Sequence, residues 1–463
     1  MVRYLILGAG TAGKRAAQVI RKMDDPAEIT LIDEEAEPFY YRPMLGRLLA
    51  KTGGSWVMAR DENRFAEIGA RLLTKVRVES LDVCNQQVLC SNGQRIPYDR
   101  LLVATGRKTR RLSQDLKGAQ GLVCLDSLDD AKRMAGLLDS VEKAVVIGSS
   151  IQALEALRGL RAAGIETVQL IPEDRLWPGV LDPVADGILE QQLRQEGVKL
   201  LRGCDLQEII VEKRKIKGVL TGKGEKVPAD LVVLAAPQSA DLNFLRHTDL
   251  EVDQGLLVDQ ALRTKRDNIF AAGDAAQPPA FGGRPPVPQP GWLNAWRQGN
   301  VAGMNMAGKT ASYVGVPSLR MKAFDLDIVC LGLSDKTGQG IQEESGGYPY
   351  EELPYIYKKL VYENRKVAGA IFTGDVSEAG KVEHWIGRGL AVDLCDKQVL
   401  DQMFKPRFLG TAALGALCPV CKFQIQVGEA EQAEPVVTCP ACGFEFRLER
   451  MPNGVFRAAP LRT

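Results

Sequence analysis

Histidine is nearly absent from this chain, which has only His247 and His384. That argues against a histidine-based catalytic triad and a multi-histidine metal site. Long apolar runs are also missing. None reaches the roughly 20 residues that span a bilayer, so membrane insertion is not expected. Neither sign of charge dominates: 59 basic and 58 acidic residues leave a net charge of +1. Such a balance gives no reason to expect nucleic acid or an anionic membrane as partner. No secreted disulfide framework is evident. Cys84, Cys90, Cys124, Cys204, Cys330 and Cys395 are scattered singly, and the other four cysteines form two close pairs near the C-terminus. A reducing cytoplasm is the expected compartment. No signal peptide is expected either, because a strand pattern begins almost at Met1. What remains is a globular composition, 45% hydrophobic and 25% charged over 463 residues. That length calls for about two to four domains.

The stretch Tyr4–Asp33 organises the rest. Tyr4–Leu7 is a short apolar run of the kind found in buried parallel strands. It breaks at Gly8-Ala9-Gly10-Thr11-Ala12-Gly13, a GxGxxG. An Ala-rich helix follows, then a second strand at Ile29–Ile32 that ends on Asp33. Each part has a physical job. Gly8 permits the tight turn, Gly10 lets backbone approach a pyrophosphate, and Gly13 lets the helix pack closely on the strand. The helix N-terminus offers N–H groups and a positive dipole to phosphates, and Asp33 can accept hydrogen bonds from a ribose. Strand, turn, helix, strand and terminal acid together predict a dinucleotide site.

Further signals follow in order. The cluster Pro38-Phe39-Tyr40-Tyr41-Arg42-Pro43-Met44-Leu45 precedes Gly46-Arg47-Leu48-Leu49 and suits a packed loop. Leu101–Gly106 reads as a buried strand ending in a small-residue turn. A second βαβ pattern begins at Lys143, with a strand at Ala144–Ile147, a loop at Gly148–Ala153, a helix over Leu154–Ala163 and a strand at Thr167–Ile171. Leu231–Ala236 is another buried strand. Ile269–Ala276 ends a strand on Gly273-Asp274, which can aim a carboxylate at a sugar alcohol chain. In the helix over Trp292–Gly308, Ala295, Gly299, Ala302, Gly303 and Ala307 form one small-residue face suited to close helix packing.

In this order, GAGTAG at Gly8–Gly13, RPML at Arg42–Leu45, ATG at Ala104–Gly106, IFAAGDAA at Ile269–Ala276 and WLNAWRQGNVAGMNMAG at Trp292–Gly308 resemble the flavoproteins of the pyridine nucleotide–disulfide oxidoreductase superfamily. The likeness is strongest to NADH–rubredoxin and ferredoxin reductases and to the flavin part of NADH-dependent nitrite reductase. YKKLVYENRKVAGAIFTGD at Tyr357–Asp375 extends it to the small C-terminal domain of these reductases. The resemblance implies an α/β fold with two Rossmann-like domains. An FAD domain would comprise residues 1–115 and 245–312, an NAD(P)-type domain 116–244, and a small α+β domain 313–400. It also implies FAD bound with its pyrophosphate at Gly8, Gly10, Thr11, Ala12 and Gly13 and its adenosine ribose on Asp33. Arg42 and Pro43 would lie at the pyrophosphate, Ala104, Thr105 and Gly106 over the cofactor, and Gly273 and Asp274 at the ribityl chain. Arg47 and Glu155 would pair beside the flavin.

Two departures matter. No cysteine lies between Met1 and Val83, where disulfide reductases of this superfamily carry a redox pair. Thiol–disulfide chemistry lacks its nucleophile there, leaving hydride or electron transfer from NAD(P)H through flavin to a redox protein or small acceptor. At the second fold the GxGxxG positions hold Gly148, Ser150 and Ala153. Pro172 stands where an acid usually meets the ribose, with Glu173 one residue on, and Pro237 replaces a glycine. These changes suggest an altered or closed nicotinamide site. The chain could then be a flavin-carrying subunit of a larger redox complex; a homo-oligomer is also compatible with the sequence.

The tail, CPVCKFQIQVGEAEQAEPVVTCPACGFEF, has the spacing C-x2-C-x17-C-x2-C. Two such turns can place Cys418, Cys421, Cys439 and Cys442 around one tetrahedral ion. Tetrahedral thiolates suit zinc and iron alike. The linking loop is short for rubredoxin, and residues 416–450 more closely resemble a zinc ribbon, so zinc is expected ahead of iron. The module would serve docking or electron transfer.

Overall fold

A computed structural model describes residues 1–37, 39–50, 64–109, 116, 119–235, 238–336, 341–350, 353–395, 397, 400, 403–404, 415–418, 424–426, 436–439, 444–450 and 456–459. Its first sheet is built from β1 (Arg3–Leu7), β2 (Glu28–Ile32), β3 (Ala70–Leu73), β4 (Arg100–Val103) and a late strand, Ile269–Ala271. The order is Ile269–Ala271, β4, β1, β2, β3, with every neighbour parallel. The late strand brings residues far along the chain into the first sheet. Leu5, Ile6, Leu7, Leu101, Leu102 and Val103 are all buried, which is why these strands read as unbroken apolar runs. Helix α1 (Thr11–Met23) covers one face.

The second sheet takes β5 (Leu122–Cys124), β6 (Lys143–Ile147), β7 (Glu166–Ile171), β8 (Val198–Arg202) and β9 (Leu231–Leu234) in the order β8, β7, β6, β9, β5, again all parallel. Between β6 and β7 runs α2 (Ile151–Ala162). It starts three residues earlier than the sequence suggested. The reason is local: Ser150 caps it, its Oγ accepting from the backbone N–H of Ala153 at 3.2 Å. Pro237 lies outside the described residues.

Helix α3 (Trp292–Met306) packs on α1 through its small-residue face. A Cβ on Gly299 would stand 2.3 Å from the Ala12 carbonyl oxygen, and one on Gly303 2.9 Å from that of Ala16. Only glycine allows the two backbones so close. A third, antiparallel sheet of five strands spans Ser318 to Thr373, and α4 (Ala379–Arg388) lies on it. It is fastened to the connection between β7 and β8 by the Tyr357 hydroxyl, which donates to Asp182 Oδ2 at 2.6 Å. The tail contributes short antiparallel strands: Gly415–Leu417 with Gln424–Gln426, and Val436–Thr438 with Glu445–Arg450 and Phe456–Ala459. Among the described residues, no helix is long and apolar enough to cross a membrane.

Candidate functional site

The C-terminal ends of both parallel sheets open into one cavity of about 1450 Å³. Most small-ligand pockets hold about 300–1,000 Å³, so this one has room for a dinucleotide and more. Gly8, Gly10, Thr11 and Ala12 line it, with Asp33, Arg42, Pro43, Ala104, Thr105, Gly106, Gly273, Asp274 and Glu155. In the sequence these residues are scattered over five segments of the first fold and the N-terminal half of α2.

The Gly-rich loop is held by steric necessity. Gly8 has φ +103°, and a Cβ there would lie 2.3 Å from the Ala104 carbonyl oxygen. Gly13 sits behind the cavity wall, where a Cβ would meet the Gly8 oxygen at 1.9 Å. Gly10 differs from both: a Cβ would meet nothing within 4 Å. Its place is open because it borders the cavity. Gly10 is also the N-cap of α1, with no side-chain cap and no acid in the first turn. The first N–H groups of α1 therefore keep their donors for an anion.

Asp33 does more than wait for a ligand. Its Oδ2 accepts from the Ala9 N–H at 2.7 Å and its Oδ1 from the Glu35 N–H at 2.9 Å. The carboxylate thus fixes the loop, with lone pairs left for ribose hydroxyls. Burial pushes its pKa above the ordinary value, against the pull of those two N–H groups. Asp274 shows the same direction for the same cause, opposed by the Gly291 N–H, which donates to its Oδ1 at 3.1 Å, and by the charges of Arg107 and Arg42. Arg42 is ion-paired to Glu35. This pairing was not expected, though Glu35 lies two residues past Asp33. The donor set fits an FAD: open glycine backbone and uncapped N–H groups for phosphates, and two carboxylates bordering the same cavity for sugar hydroxyls.

Arg47 and Glu155 do come near each other, in a wider cluster. The 3-10 helix Arg42–Leu49 touches α2 so closely that a Cβ on Gly46 would stand 2.2 Å from the Glu155 carbonyl oxygen. Arg158 Nη2 donates to Glu155 Oε2 at 2.6 Å, a partner the sequence did not suggest. Burial lowers the Arg47 guanidinium to about 10. The like charge of Arg158 adds to the drop and Glu155 opposes it. Arg47 remains a cation at neutral pH.

The second fold presents Ser150, Ile151 and Gln152 to the same cavity. Ser150 has nearly the backbone of Gly10, φ −72° and ψ 169° against −69° and −166°. The Ser150 side chain borders the cavity. Its hydroxyl turns back onto the Ala153 N–H. Pro172 and Glu173 are both exposed. Trp177 and Val180, which no motif flagged, wall the far side.

Of the tail cysteines, Cys418 and Cys439 are buried in the main hydrophobic cluster, and Cys421 and Cys442 lie outside the described residues. Among the described residues, no group of three or more ligating side chains is gathered. The Cys439 N–H donates to the Phe444 carbonyl at 2.8 Å. Cys330 also borders the cavity, but burial pushes its thiol far above the ordinary range, which makes it a poor nucleophile.

The fold and site define a two-dinucleotide flavoprotein architecture. The chain belongs to the family described as pyridine nucleotide-disulphide oxidoreductase, matched over residues 2–299; residues 317–390 match the rubredoxin NAD+ reductase C-terminal domain. This is a family of NAD(P)H-dependent FAD oxidoreductases. The chain is similar to the NADH-rubredoxin oxidoreductase of Clostridium acetobutylicum, 27% identical over 84% of this chain and 96% of that protein. It is likewise 27% identical to the nitrite reductase [NAD(P)H] of Bacillus subtilis, over 82% of this chain. It spans only 46% of that relative's length. Its fold matches the reductase in a covalent putidaredoxin reductase–putidaredoxin complex, with TM-score 0.77, 23% identity and coverage of 87% and 98% of the two chains.

Proposed function

We propose that the chain is an FAD-dependent oxidoreductase that takes electrons from NAD(P)H and delivers them to a redox protein or small acceptor without a redox-active disulfide. The observation that carries this reading is the shared cavity: the Gly8–Gly13 loop, Asp274 and the Ser150–Glu155 segment all face it. Bound FAD would accept a hydride from a nicotinamide and release electrons onward. The chain's part is to bind and orient. Gly8–Gly13 and Arg42 would hold the pyrophosphate and Asp33 the ribose. Pro43, Ala104, Thr105 and Gly106 would close over the cofactor, and Gly273 and Asp274 would hold the ribityl chain. Arg47, held against Glu155, would place a positive charge at the flavin. The domain division into 1–115 with 245–312, 116–244, 313–400 and 416–450 belongs to the same reading. So does one metal, zinc ahead of iron, on Cys418, Cys421, Cys439 and Cys442. The test is the flavin itself. Denaturing the purified protein should release one FAD per chain; FMN, or no flavin after reconstitution, would sink the proposal.

A second reading is favoured by one observation. The Ala153 N–H at the start of α2 is already taken by Ser150, whereas the start of α1 is uncapped. A nicotinamide dinucleotide would find fewer donors there. The chain would then be a flavin-carrying subunit of a larger complex, fed by another subunit. NAD(P)H:dye reductase activity of the isolated chain separates the two readings.

A further inference from the structure

We infer that the C-terminal module braces, from outside the cavity, the loop that carries Arg42 and Pro43 to the flavin pocket, with Phe444 as the positioning residue. This rests on the FAD reading above. The Phe444 ring meets Tyr41 edge-on, with centroids 4.3 Å apart. Tyr41 in turn touches Trp292 at 5.2 Å and Phe39 at 5.6 Å. The Nζ of Lys14 lies 3.7 Å over Phe39.

These four residues belong to the three backbones that build the cavity. Lys14 follows Gly13 in the first turn of α1. Tyr41 precedes Arg42 and Pro43, which line the cavity. Trp292 lines it too, and follows Gly291, whose N–H holds Asp274. The aromatic cluster is where the three meet, and Phe444 closes its outer side. Phe444 is buried, and Phe446 stacks on it at 5.9 Å. Both belong to one continuous cluster with Tyr40, Tyr41, Met44, Leu45 and Leu293.

Phe444 also belongs to the cysteine module. Its carbonyl accepts from the Cys439 N–H at 2.8 Å, which ties the Phe444 backbone to Cys439. Small thiolate–metal modules take much of their folding energy from the ion. The contact therefore makes the pocket's loop 39–43 sensitive to the state of a segment distant in sequence. With Phe444 in place, Tyr41 is held and Arg42 is presented to the cavity at little ordering cost on binding. Without it, the loop must be ordered when FAD binds.

The experiment is FAD binding to the deflavinated full-length chain, by calorimetry, for the parent, Phe444→Ala, Phe444→Leu and Phe444→Tyr, with folding checked by circular dichroism. Phe444→Ala should weaken FAD binding about tenfold, with Leu intermediate and Tyr near the parent. The bound-flavin absorption bands should shift in the Ala variant. A residue that only stabilises the tail would lower the melting temperature and leave the affinity and bands of folded protein unchanged. If Phe444→Ala does not fold, Phe444→Leu carries the test. FAD affinity within twofold of the parent in the folded variants would overturn the inference. A parent that binds no FAD would instead overturn the proposed function.

Discussion

Ser150 Oγ accepts a hydrogen bond from the Ala153 N–H at 3.2 Å, and so uses up a donor that the corresponding Gly10 leaves free in the first fold. Ser150→Gly should release that donor at little cost, since glycine in place of a serine cap loses only a few tenths of a kcal/mol. A charge-assisted hydrogen bond to phosphate is worth about 1.5–3 kcal/mol. The variant should therefore bind NADH or NADPH about tenfold more tightly or better, read as the nucleotide concentration at half-reduction of the flavin. An unchanged midpoint would show that the cap does not set the affinity.

Gly10→Val should fold and fail to hold FAD. A Cβ there meets no atom within 4 Å, so the valine points into the cavity. Its melting temperature without flavin should match the parent's, while its FAD affinity drops at least a hundredfold, or about 3 kcal/mol. Gly13→Ala should behave in the opposite way. Its Cβ would lie 1.9 Å from the Gly8 oxygen, and the fold itself should suffer.

FAD affinity should fall in acid earlier than ordinary carboxylates would make it. Asp33 and Asp274 both have pKa values raised by burial, and each accepts sugar hydroxyls best when ionised. Protonation at a raised pKa means the loss begins above about pH 4, the usual carboxylate range. Asp33→Asn should weaken binding at neutral pH and flatten this dependence. A parent whose affinity holds steady down to pH 4 would contradict the assignment.

Glu383 gives the opposite sign. Arg297 and Arg320 hold it at 2.6 and 2.9 Å. Burial tends to raise its pKa, but the two guanidiniums overcome that and depress it below 4.5. Its stabilising contribution is present above that value and is lost as pH falls through the lower folded value. Glu383→Gln should cost about 3 kcal/mol at neutral pH and remove this part of the acid transition. Melting curves across pH 3–7 would check it.

Elemental analysis of protein made with both metals available should find one zinc per chain. Ferric iron on four thiolates would add charge-transfer bands to the flavin spectrum. Predominant iron would replace the docking view of the tail with an electron-transfer one.

Much of the site could be read from the sequence because its constraints are local. Gly8, Gly13 and Gly299 are glycines for steric reasons visible in a motif, and Asp33 ends a strand. The contacts that tune the site are not local. Arg158 takes the Glu155 carboxylate because α2 turns both to one side. Trp177 borders the cavity through a loop with no periodicity. Phe444 reaches Tyr41 from the far end of the chain. Helix α2 begins at Ile151, ahead of the apolar periodicity, because Ser150 caps it through the Ala153 N–H.

The most direct test of the central claim is anaerobic titration of the FAD-loaded chain with NADH and with NADPH, followed at the flavin absorption band. The account predicts that at least one nucleotide bleaches the flavin, at concentrations above micromolar because of the capped second site. A flavin that stays oxidised with both nucleotides at millimolar concentration, yet is reduced by dithionite, would contradict it and leave the subunit reading in its place.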